Sequence, residues 1–307
     1  MLASAASIRI SGALQQMSAD QFVVADGRRL VLKSLDKVLY PSTGTTKTDV
    51  LMYYSTVAPA MIPLIAQRPA TRKRWPHGVA DDSFFEKTLP PGAPDWIKAV
   101  SIQHTSRDKR YPLINDMSTL LWLAQLSCLE IHVPQWRLAG VSDRIEDAEV
   151  DRFVIDLDPG APAGLAECAQ VALVLREVLK AEGFVVFPVT SGSKGLQLYA
   201  TSMGKSSDEQ SEFVRQLGVE VHRILPKLAI TNMNRAAREG RVFVDWSQNN
   251  AAKTTIAPYS LRGLEFPTVA APRTWAEVES TNLTQLRFDE VLQRLATDGD
   301  LLADLAP

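Results

Sequence analysis

Hydrophobic and polar residues after position 150 follow a regular succession of short apolar runs and longer amphipathic stretches. The apolar run at 153–158 predicts a strand. The stretch after it predicts a helix, because apolar side chains recur at helical spacing at Ala172, Leu175 and Leu179. The predicted strands cover residues 153–158, 185–190, 196–200 and 242–246, and the predicted helices cover about 164–182 and 208–225. This β-α-β-β-α-β order is that of a ferredoxin-like unit, so the predicted fold class is α+β.

The first half of the chain has a mixed pattern of helices and short strands. Helices are predicted at 49–65 and 117–129, and Pro59 is expected to kink or split the first of them. Residues 1–29 lack strong periodicity and are predicted to form an N-terminal extension.

Composition limits the class of protein. A chain of 307 residues with 46% hydrophobic content can bury a large core, and its net charge of −2 argues against coating nucleic acid by bulk attraction. Basic residues are concentrated at 68–74 and 107–110, which is compatible with a local nucleic-acid footprint. No window has the roughly 18 apolar residues of a membrane span. Cys128 and Cys168, in apolar helical contexts, are interpreted as core residues of a protein of the reducing cytoplasm.

Three aspartates lie in apolar runs that predict strands. Asp156 and Asp158 are two residues apart, so in a strand both carboxylates point to the same face. Asp245 is in the last predicted strand, which can lie beside the first in this topology. Neighbouring carboxylates repel unless a cation lies between them, and Mg²⁺ or Mn²⁺ prefers oxygen ligands, so the pattern suggests a two-metal site for phosphoryl transfer. The alternative, that aspartates favour turns, is fair for Asp158 before Pro159 but does not explain Asp156.

A glycine-rich turn at 190–195 could hold a triphosphate beside these carboxylates. Its hydroxyls on Ser191 and Ser193 and the ammonium of Lys194 suit phosphate, and its glycines allow close backbone approach. Alone this signal is weak, because such a turn is more often only a hairpin.

His132, Arg262 and a basic-aromatic segment are further candidates. A lone histidine on an apolar strand is more often a core group, and an arginine in a loop is more often a surface residue, although a guanidinium could clamp phosphate oxygens. The basic residues at 72–74 and the nearby Phe84 and Phe85 suit single-stranded nucleic acid, where rings stack on bases. Ordinary core phenylalanines are the alternative interpretation of these two rings.

Seven segments stand together in a recognisable order. They are 35–41 (LDKVLYP), 68–76 (RPATRKRWP), 84–87 (FFEK), 130–136 (EIHVPQW), 156–160 (DLDPG), 191–195 (SGSKG) and 244–249 (VDWSQN). On these segments the chain closely resembles the polymerase domain of bacterial ligase D, in the archaeo-eukaryotic primase superfamily. The resemblance implies one primase-polymerase domain over residues 30–302. Its parts would be a mixed α/β DNA-binding lobe over about 30–150, a catalytic lobe over about 151–265 with the β-α-β-β-α-β unit, and a tail to 307.

The resemblance also implies an activity and residues for it. The activity is template-directed nucleotidyl transfer at short DNA gaps and broken ends with a 5′-phosphate, from NTPs or dNTPs, with a preference for ribonucleotides and with two Mn²⁺ or Mg²⁺ ions. The residues that match the metal ligands are Asp156, Asp158 and Asp245. Those that match the nucleotide pocket are His132, Ser191, Lys194, Arg262 and Lys73. Those that match DNA contacts are Lys37 and Lys47 for the downstream 5′-phosphate, Phe84 and Phe85 for template bases, and Arg238 in a basic loop. Arg107, in a loop that is more basic than the family pattern, is a further predicted DNA contact.

Several biological settings are compatible with these features. Because no ligase or nuclease segment follows in the sequence, we expect a free-standing, cytoplasmic, nucleoid-associated monomer that fills gaps in excision repair with a separate ligase. A second hypothesis is an end-joining module that works with ligase D and Ku and brings overhangs together through the loop near Arg107. A non-catalytic module that recognises 5′-phosphorylated ends, or a metal-dependent phosphohydrolase, is an alternative of a different class. The clustered carboxylates argue against the non-catalytic module, and the nucleotide pocket and stacking rings argue against the phosphohydrolase.

Overall fold

The computed structural model describes residues 21–103, 108–139, 148–202 and 204–307. Its strands are β1 Gln21–Ala25, β2 Arg28–Leu32, β3 Val38–Tyr40, β4 Thr45–Thr46, β5 Thr71–Arg74, β6 Phe84–Glu86, β7 Ala99–Ile102, β8 Lys109–Pro112, β9 Cys128–Val133, β10 Trp136–Leu138, β11 Ala148–Val150, β12 Arg152–Pro159, β13 Phe187–Thr190, β14 Leu196–Thr201, β15 Ala229–Ile230, β16 Val242–Asp245, β17 Thr255–Ile256 and β18 Ala271–Pro272. Its helices are α1 Lys47–Ile65, α2 Met117–Gln125, α3 Leu165–Ala181, α4 Ser207–Ile224, α5 Trp275–Glu279 and α6 Phe288–Asp298. Within these ranges, no helix is long and apolar enough to cross a membrane.

The second half of the chain forms a six-stranded sheet. Its strand order is β15-β16-β12-β14-β13-β18. The strand β12 is antiparallel to both β14 and β16, so the first and last long strands of the unit are neighbours. The predicted α+β class and β-α-β-β-α-β order are therefore confirmed, and the predicted boundaries differ from those observed by at most two residues.

Side chains alternate along β12 between two different cores. Phe153, Ile155 and Leu157 pack with residues of α3 and α4, whereas Val154 belongs to the core that contains α1 and α2. Residues two apart in a strand share a face, so Asp156 and Asp158 lie on the side of Val154. The two aspartates therefore lie on the face of β12 that packs against the core containing α1 and α2.

A four-stranded sheet with the order β17-β9-β5-β6 takes three strands from the first half of the chain and β17 from the second half, and α1 and α2 pack in the same core. Helix α1 begins at a capping box of Thr46 and Asp49 and continues as one helix through Pro59, where a kink or split was expected. Helix α2 ends at Gln125, earlier than predicted, and Cys128 begins β9. This strand is also buried, so its apolar residues continued the apparent helical pattern.

The structure differs from the sequence prediction at the N-terminal side as well. Residues Gln21–Ala25, assigned to an extension, form β1 and pair with β2. The turn between the strands is Asp26-Gly27, and both residues have positive φ (48° and 74°), as a type I′ hairpin requires. Ala25 is buried and its carbonyl accepts a hydrogen bond from the Ser118 hydroxyl. The Asp-Gly pair was the sequence signal for this hairpin.

Two buried arginines join the lobes beside the start of β12. Arg152 donates from Nη1 to the Leu64 carbonyl at the end of α1, at 2.9 Å. Arg68 donates from Nη2 to both carboxylate oxygens of Asp151, at 2.7 and 2.6 Å. Because buried charged groups are costly unless they are hydrogen-bonded, these contacts favour the observed position of β12 against the end of α1.

Candidate active site

Asp156 and Asp245 lie opposite each other in adjacent strands. They are direct partners in the antiparallel β12–β16 pair, and opposed residues of such a pair lie on the same face of the sheet. Asp158 is two residues further along β12 and shares that face. The topology therefore brings together the three carboxylates that the sequence predicted to be close.

Burial and mutual repulsion dominate the electrostatics of these carboxylates. Burial, followed by the charges of Asp158 and Asp245, raises the pKa of Asp156 to about 8. Burial and the charge of Asp245 also raise the pKa of Asp158, although three nearby cations oppose the rise. A bound cation would relieve this repulsion, so the site favours positive ions.

Hydrogen bonds hold two of the three carboxylates. Asp245 accepts bonds from the Ser247 amide at 3.0 Å and the Ser247 hydroxyl at 2.5 Å, and its other oxygen accepts from Gln248 Nε2 at 2.8 Å. Asp156 accepts from Gln197 Nε2 at 3.1 Å. Gln197 and Gln248 were missed from the sequence.

The donor chemistry of the three aspartates fits Mg²⁺ or Mn²⁺, because carboxylate oxygens are the ligands that these ions prefer. In the part of the chain that the structure describes, no three His, Cys, Asp or Glu side chains already converge as an assembled ligand group. The two oxygens of Asp245 accept hydrogen bonds from Ser247 and Gln248. Among the described residues, Asp245 Oδ2 accepts only the bond from Gln248, so it keeps a lone pair that an ion could use.

The turn of residues 191–195 packs directly against β12. A Cβ placed on Gly195 would lie 2.1 Å from the Leu157 carbonyl oxygen, so only glycine permits this approach. Ser191 Oγ accepts bonds from the amides of Ser193 and Gly195, at 3.3 and 3.1 Å. The Ser191 hydroxyl therefore closes the turn. This structural role was not predicted from the sequence, which suggested only a contact with the nucleotide.

The same turn contacts the loop of Arg262. A Cβ on Gly192, which has a φ of +72°, would lie 2.6 Å from Arg262 Cγ. Lys194 is exposed at the tip of the turn. Lys194 and Arg262, with Arg238, are the cations that oppose the raised pKa of Asp158, so all three are near the aspartates.

Glu130 connects His132 with the loop of Arg262 and was also missed from the sequence. Its Oε2 lies 2.9 Å from His132 Nε2, and its Oε1 accepts from the Gly263 amide at 3.1 Å and lies 3.7 Å from Arg262 Nε. Burial would raise the pKa of this carboxyl, but the bond to His132 and the charge of Arg262 lower it. Glu130 is therefore a buried anion between two predicted nucleotide contacts. The sequence feature that could have identified Glu130 is its position two residues before His132, which places both side chains on one face of the strand.

Lys73, Phe85 and His132 form a continuous surface on the four-stranded sheet. Lys73 and Phe85 are register partners, and Lys73 Nζ lies 5.4 Å from the centroid of the Phe85 ring. The Phe85 ring meets the His132 ring edge to face at 5.6 Å. Phe84 and Phe85 are 44% and 60% exposed, so they are not the core phenylalanines of the alternative interpretation.

Lys37 and Lys47 form a separate basic pair at the start of α1. The Lys47 amide donates to the Lys37 carbonyl at 2.8 Å, and the two ammonium groups donate to the carbonyls of Pro76 and Lys33. Burial, followed by the charges of Lys37 and Arg74, lowers the pKa of Lys47. An anion would stabilise this concentration of positive charge.

Arg238 packs at the end of β12, whereas Arg107 falls outside the described residues. The Arg238 guanidinium carbon lies 3.6 Å from the centroid of the Phe243 ring. A Cβ on Gly160 would lie 2.0 Å from the Arg238 carbonyl oxygen, so this loop touches the turn that follows Asp158.

Comparisons with known proteins identify relatives of this chain. A family model for the LigD primase-polymerase domain matches residues 46–302. The multifunctional non-homologous end joining DNA repair protein LigD of Mycobacterium tuberculosis (strain H37Rv) is 49% identical over 285 residues, which cover 92% of this chain and 37% of that protein. The bifunctional non-homologous end joining protein LigD of Bacillus subtilis (strain 168) is 34% identical over 275 residues, which cover 88% of this chain and 43% of that protein.

A solved structure is similar as well. It is the polymerase domain of Mycobacterium tuberculosis ligase D in complex with DNA, with a TM-score of 0.87 and 49% sequence identity, and the match covers 91% of this chain and 99% of that one. The chain spans less than half the length of the two LigD proteins but nearly all of this polymerase domain.

Proposed function

The chain belongs to the family of LigD primase-polymerase domains and is a nucleotidyltransferase, and from this we propose that it fills short gaps in DNA during repair. The proposed substrate is a gapped or broken duplex with a 5′-phosphate on the downstream strand, together with an NTP or dNTP. The proposed preference for ribonucleotides and for Mn²⁺ rests on the family resemblance.

The observation that carries the proposal is the direct pairing of Asp156 with Asp245, with Asp158 beside them on the same face. These three carboxylates would hold two divalent ions. When bound, such ions neutralise phosphate charge and stabilise the attacking and leaving oxygens.

The remaining side chains would bind and orient the nucleotide. Lys194 and Arg262 lie close enough to Asp158 to influence its carboxyl, so their charges are available for triphosphate oxygens. Ser191 closes the turn that would present Lys194 to the triphosphate, and Gly192 and Gly195 let this turn pack against the Arg262 loop and β12. Glu130 holds His132 and the Gly263 amide in place, and Lys73 would extend the pocket toward Phe85.

Lys37 and Lys47 would bind the downstream 5′-phosphate, and the exposed Phe84 and Phe85 would stack on template bases. Arg238 would contribute charge from the loop beside β12. The proposed setting is the cytoplasm, on nucleoid DNA, as a monomer.

Primer extension on a short gapped duplex with Mn²⁺ tests this function. The assay compares gaps with and without a 5′-phosphate, ribonucleotides with deoxyribonucleotides, and wild type with Asp158→Asn. Templated extension that the phosphate stimulates and Asp158→Asn abolishes is the expected result. Phosphate-dependent binding without any incorporation would instead indicate a module that only recognises DNA ends.

A second candidate is the polymerase step of end joining, favoured by the names of the LigD relatives. In that setting a ligase and an end-binding protein such as Ku would be the partners. A substrate with two short complementary 3′-overhangs separates the two candidates. Faster extension on the overhangs than on an equal gap would favour end joining.

A further inference from the structure

A buried chain of hydrogen bonds leads from Asp156 into the interface between the lobes. Gln197 Nε2 donates to Asp156 Oδ1 at 3.1 Å, and Gln197 Oε1 accepts from the Tyr199 hydroxyl at 3.1 Å. That hydroxyl also lies 3.2 Å from the Ile256 carbonyl oxygen. Gln197 is only 2% exposed and Tyr199 is fully buried, so solvent does not compete for these bonds.

The sheet register explains why the chain starts at Asp156. On the β14 side its direct partner is Gln197, and on the β16 side its direct partner is Asp245. Asp156 is therefore flanked by one neutral amide and one carboxylate. The amide can orient the Asp156 carboxylate without adding charge to a site that already contains three acidic groups.

Tyr199 connects Gln197 and Asp156 to the four-stranded sheet that contains His132. Ile256, whose carbonyl is within reach of the Tyr199 hydroxyl, is the register partner of His132 in the β17–β9 pair. Burial raises the pKa of Tyr199 well above its usual value, so the phenol stays a neutral donor. The Arg152 guanidinium carbon lies 5.4 Å from the centroid of the Tyr199 ring and packs against the aromatic side chain.

We propose that Gln197 and Tyr199 are positioning residues, which orient the Asp156 carboxylate for a divalent ion and tie it to the strand pair that carries His132. This inference rests on the proposed metal role of Asp156. Residues that orient a metal ligand from behind typically change metal affinity by about 10- to 100-fold when removed. We therefore expect loss of Gln197 to weaken ion binding beyond what the loss of a buried glutamine elsewhere in the chain would cause.

Direct Mn²⁺ titration of the full chain, without DNA or nucleotide, tests the proposal. Gln197→Met keeps the length of the side chain but removes both hydrogen bonds. We expect it to raise the Mn²⁺ dissociation constant at least roughly 10-fold. Tyr199→Phe should shift the constant in the same direction, and the double variant should be no worse than Gln197→Met, because Tyr199 acts through Gln197.

Gln210→Met is the matched control for the cost of losing a buried glutamine. Gln210 is 1% exposed and lies in α4, where it accepts a bond from the Ser202 hydroxyl. Its variant should lose thermal stability to a similar extent as Gln197→Met but keep the wild-type Mn²⁺ affinity.

Asp156→Asn separates failure of the inference from failure of the proposed function. If Asp156→Asn loses the ion while Gln197→Met binds it like wild type, the positioning role is overturned and the metal site stands. If wild type and Asp156→Asn bind Mn²⁺ equally, the metal assignment is overturned, and the positioning role with it.

Discussion

Asp156 and Asp245 are paired across neighbouring strands, although two helices and three strands lie between them in the chain. The pair exists only when β16 has closed against β12, so an unfolded chain cannot present it. Any ion held by these carboxylates binds the folded state alone and stabilises it by mass action. Ion binding and folding of the catalytic lobe are therefore expected to be coupled.

This coupling makes the role of Asp245 measurable without an activity assay. At Mn²⁺ concentrations of about 100 times the dissociation constant, wild type should gain about 2.7 kcal/mol in free energy of unfolding. Asp245→Asn should lose both this gain and primer extension. Thermal unfolding with and without Mn²⁺ checks the first effect. Asp298→Asn, an exposed aspartate in α6, should keep the gain, and an unchanged gain in Asp245→Asn would contradict the assignment.

The aspartates could be found from the sequence because each lies inside an apolar run, where a charge is conspicuous. The order of these strands and helices along the chain followed from their apolar runs and helical spacing, whereas the short strands β15 and β18 at the sheet edges were not predicted. Periodicity also implied that Asp156 and Asp158 share a face. The sequence could not show which lobe that face meets, because this depends on packing with residues such as Val154 and Ile256.

Glu130 and Gln197 could not be found in the same way. Each is a polar residue in a buried strand, and its role depends on a partner more than 40 positions away on another element: Gly263 for Glu130 and Asp156 for Gln197. The spacing along one strand shows that Glu130 and His132 share a face, but it carries no information about partners on other elements. The β1–β2 hairpin was missed for a different reason, because Phe22 and Val24 are exposed and mask the alternation.

Gly195 is predicted to be intolerant of any side chain. Alanine there would place Cβ 2.1 Å from the Leu157 carbonyl oxygen and push the turn of residues 191–195 away from β12. Overpacking of this kind typically costs about 1–3 kcal/mol, and extension should fall with it because the turn would no longer face the aspartates. Urea unfolding and primer extension measure the two effects. Gly164→Ala is the control, since the nearest atom to its Cβ would be Glu167 Oε2 at 3.8 Å, and equal losses in both variants would contradict the argument.

Phe85 is predicted to bind DNA rather than to stabilise the fold. The ring is 60% exposed and lies against Lys73 and His132, so Phe85→Ala removes little buried surface. Loss of one stacked base typically costs about 1–3 kcal/mol, which is roughly a 5- to 150-fold weaker affinity for gapped DNA. Fluorescence anisotropy measures that affinity, and thermal unfolding should show little change. Phe22→Ala, which removes another exposed ring, should bind DNA normally, and a similar loss in both variants would refute a specific stacking role.

Lys37 is predicted to recognise the downstream 5′-phosphate. Its neighbour Lys47 is largely buried and has a lowered pKa among other cations, so the pair favours an added anion. Lys37→Ala should remove the stimulation of gap filling by the 5′-phosphate and leave extension on unphosphorylated gaps unchanged. Paired assays on the two substrates measure the ratio. Lys180→Ala, an exposed lysine at the end of α3, should keep the wild-type ratio, and a preserved ratio in Lys37→Ala would place the phosphate pocket elsewhere.

Glu130 is predicted to stabilise the protein only where its carboxyl is ionised. The pKa of Glu130 is lower in the folded chain than the usual value of about 4.3, so its stabilisation is complete above that value and is lost as the pH falls through the folded-state pKa. Glu130→Gln replaces the charged acceptor by a neutral one and should lower the free energy of unfolding by about 2 kcal/mol near pH 7. The difference between wild type and variant should then shrink below about pH 4. Denaturant unfolding between pH 3 and 7 measures it, and a difference that stays constant over this range would show that the Glu130 charge does not hold His132 and the Arg262 loop together.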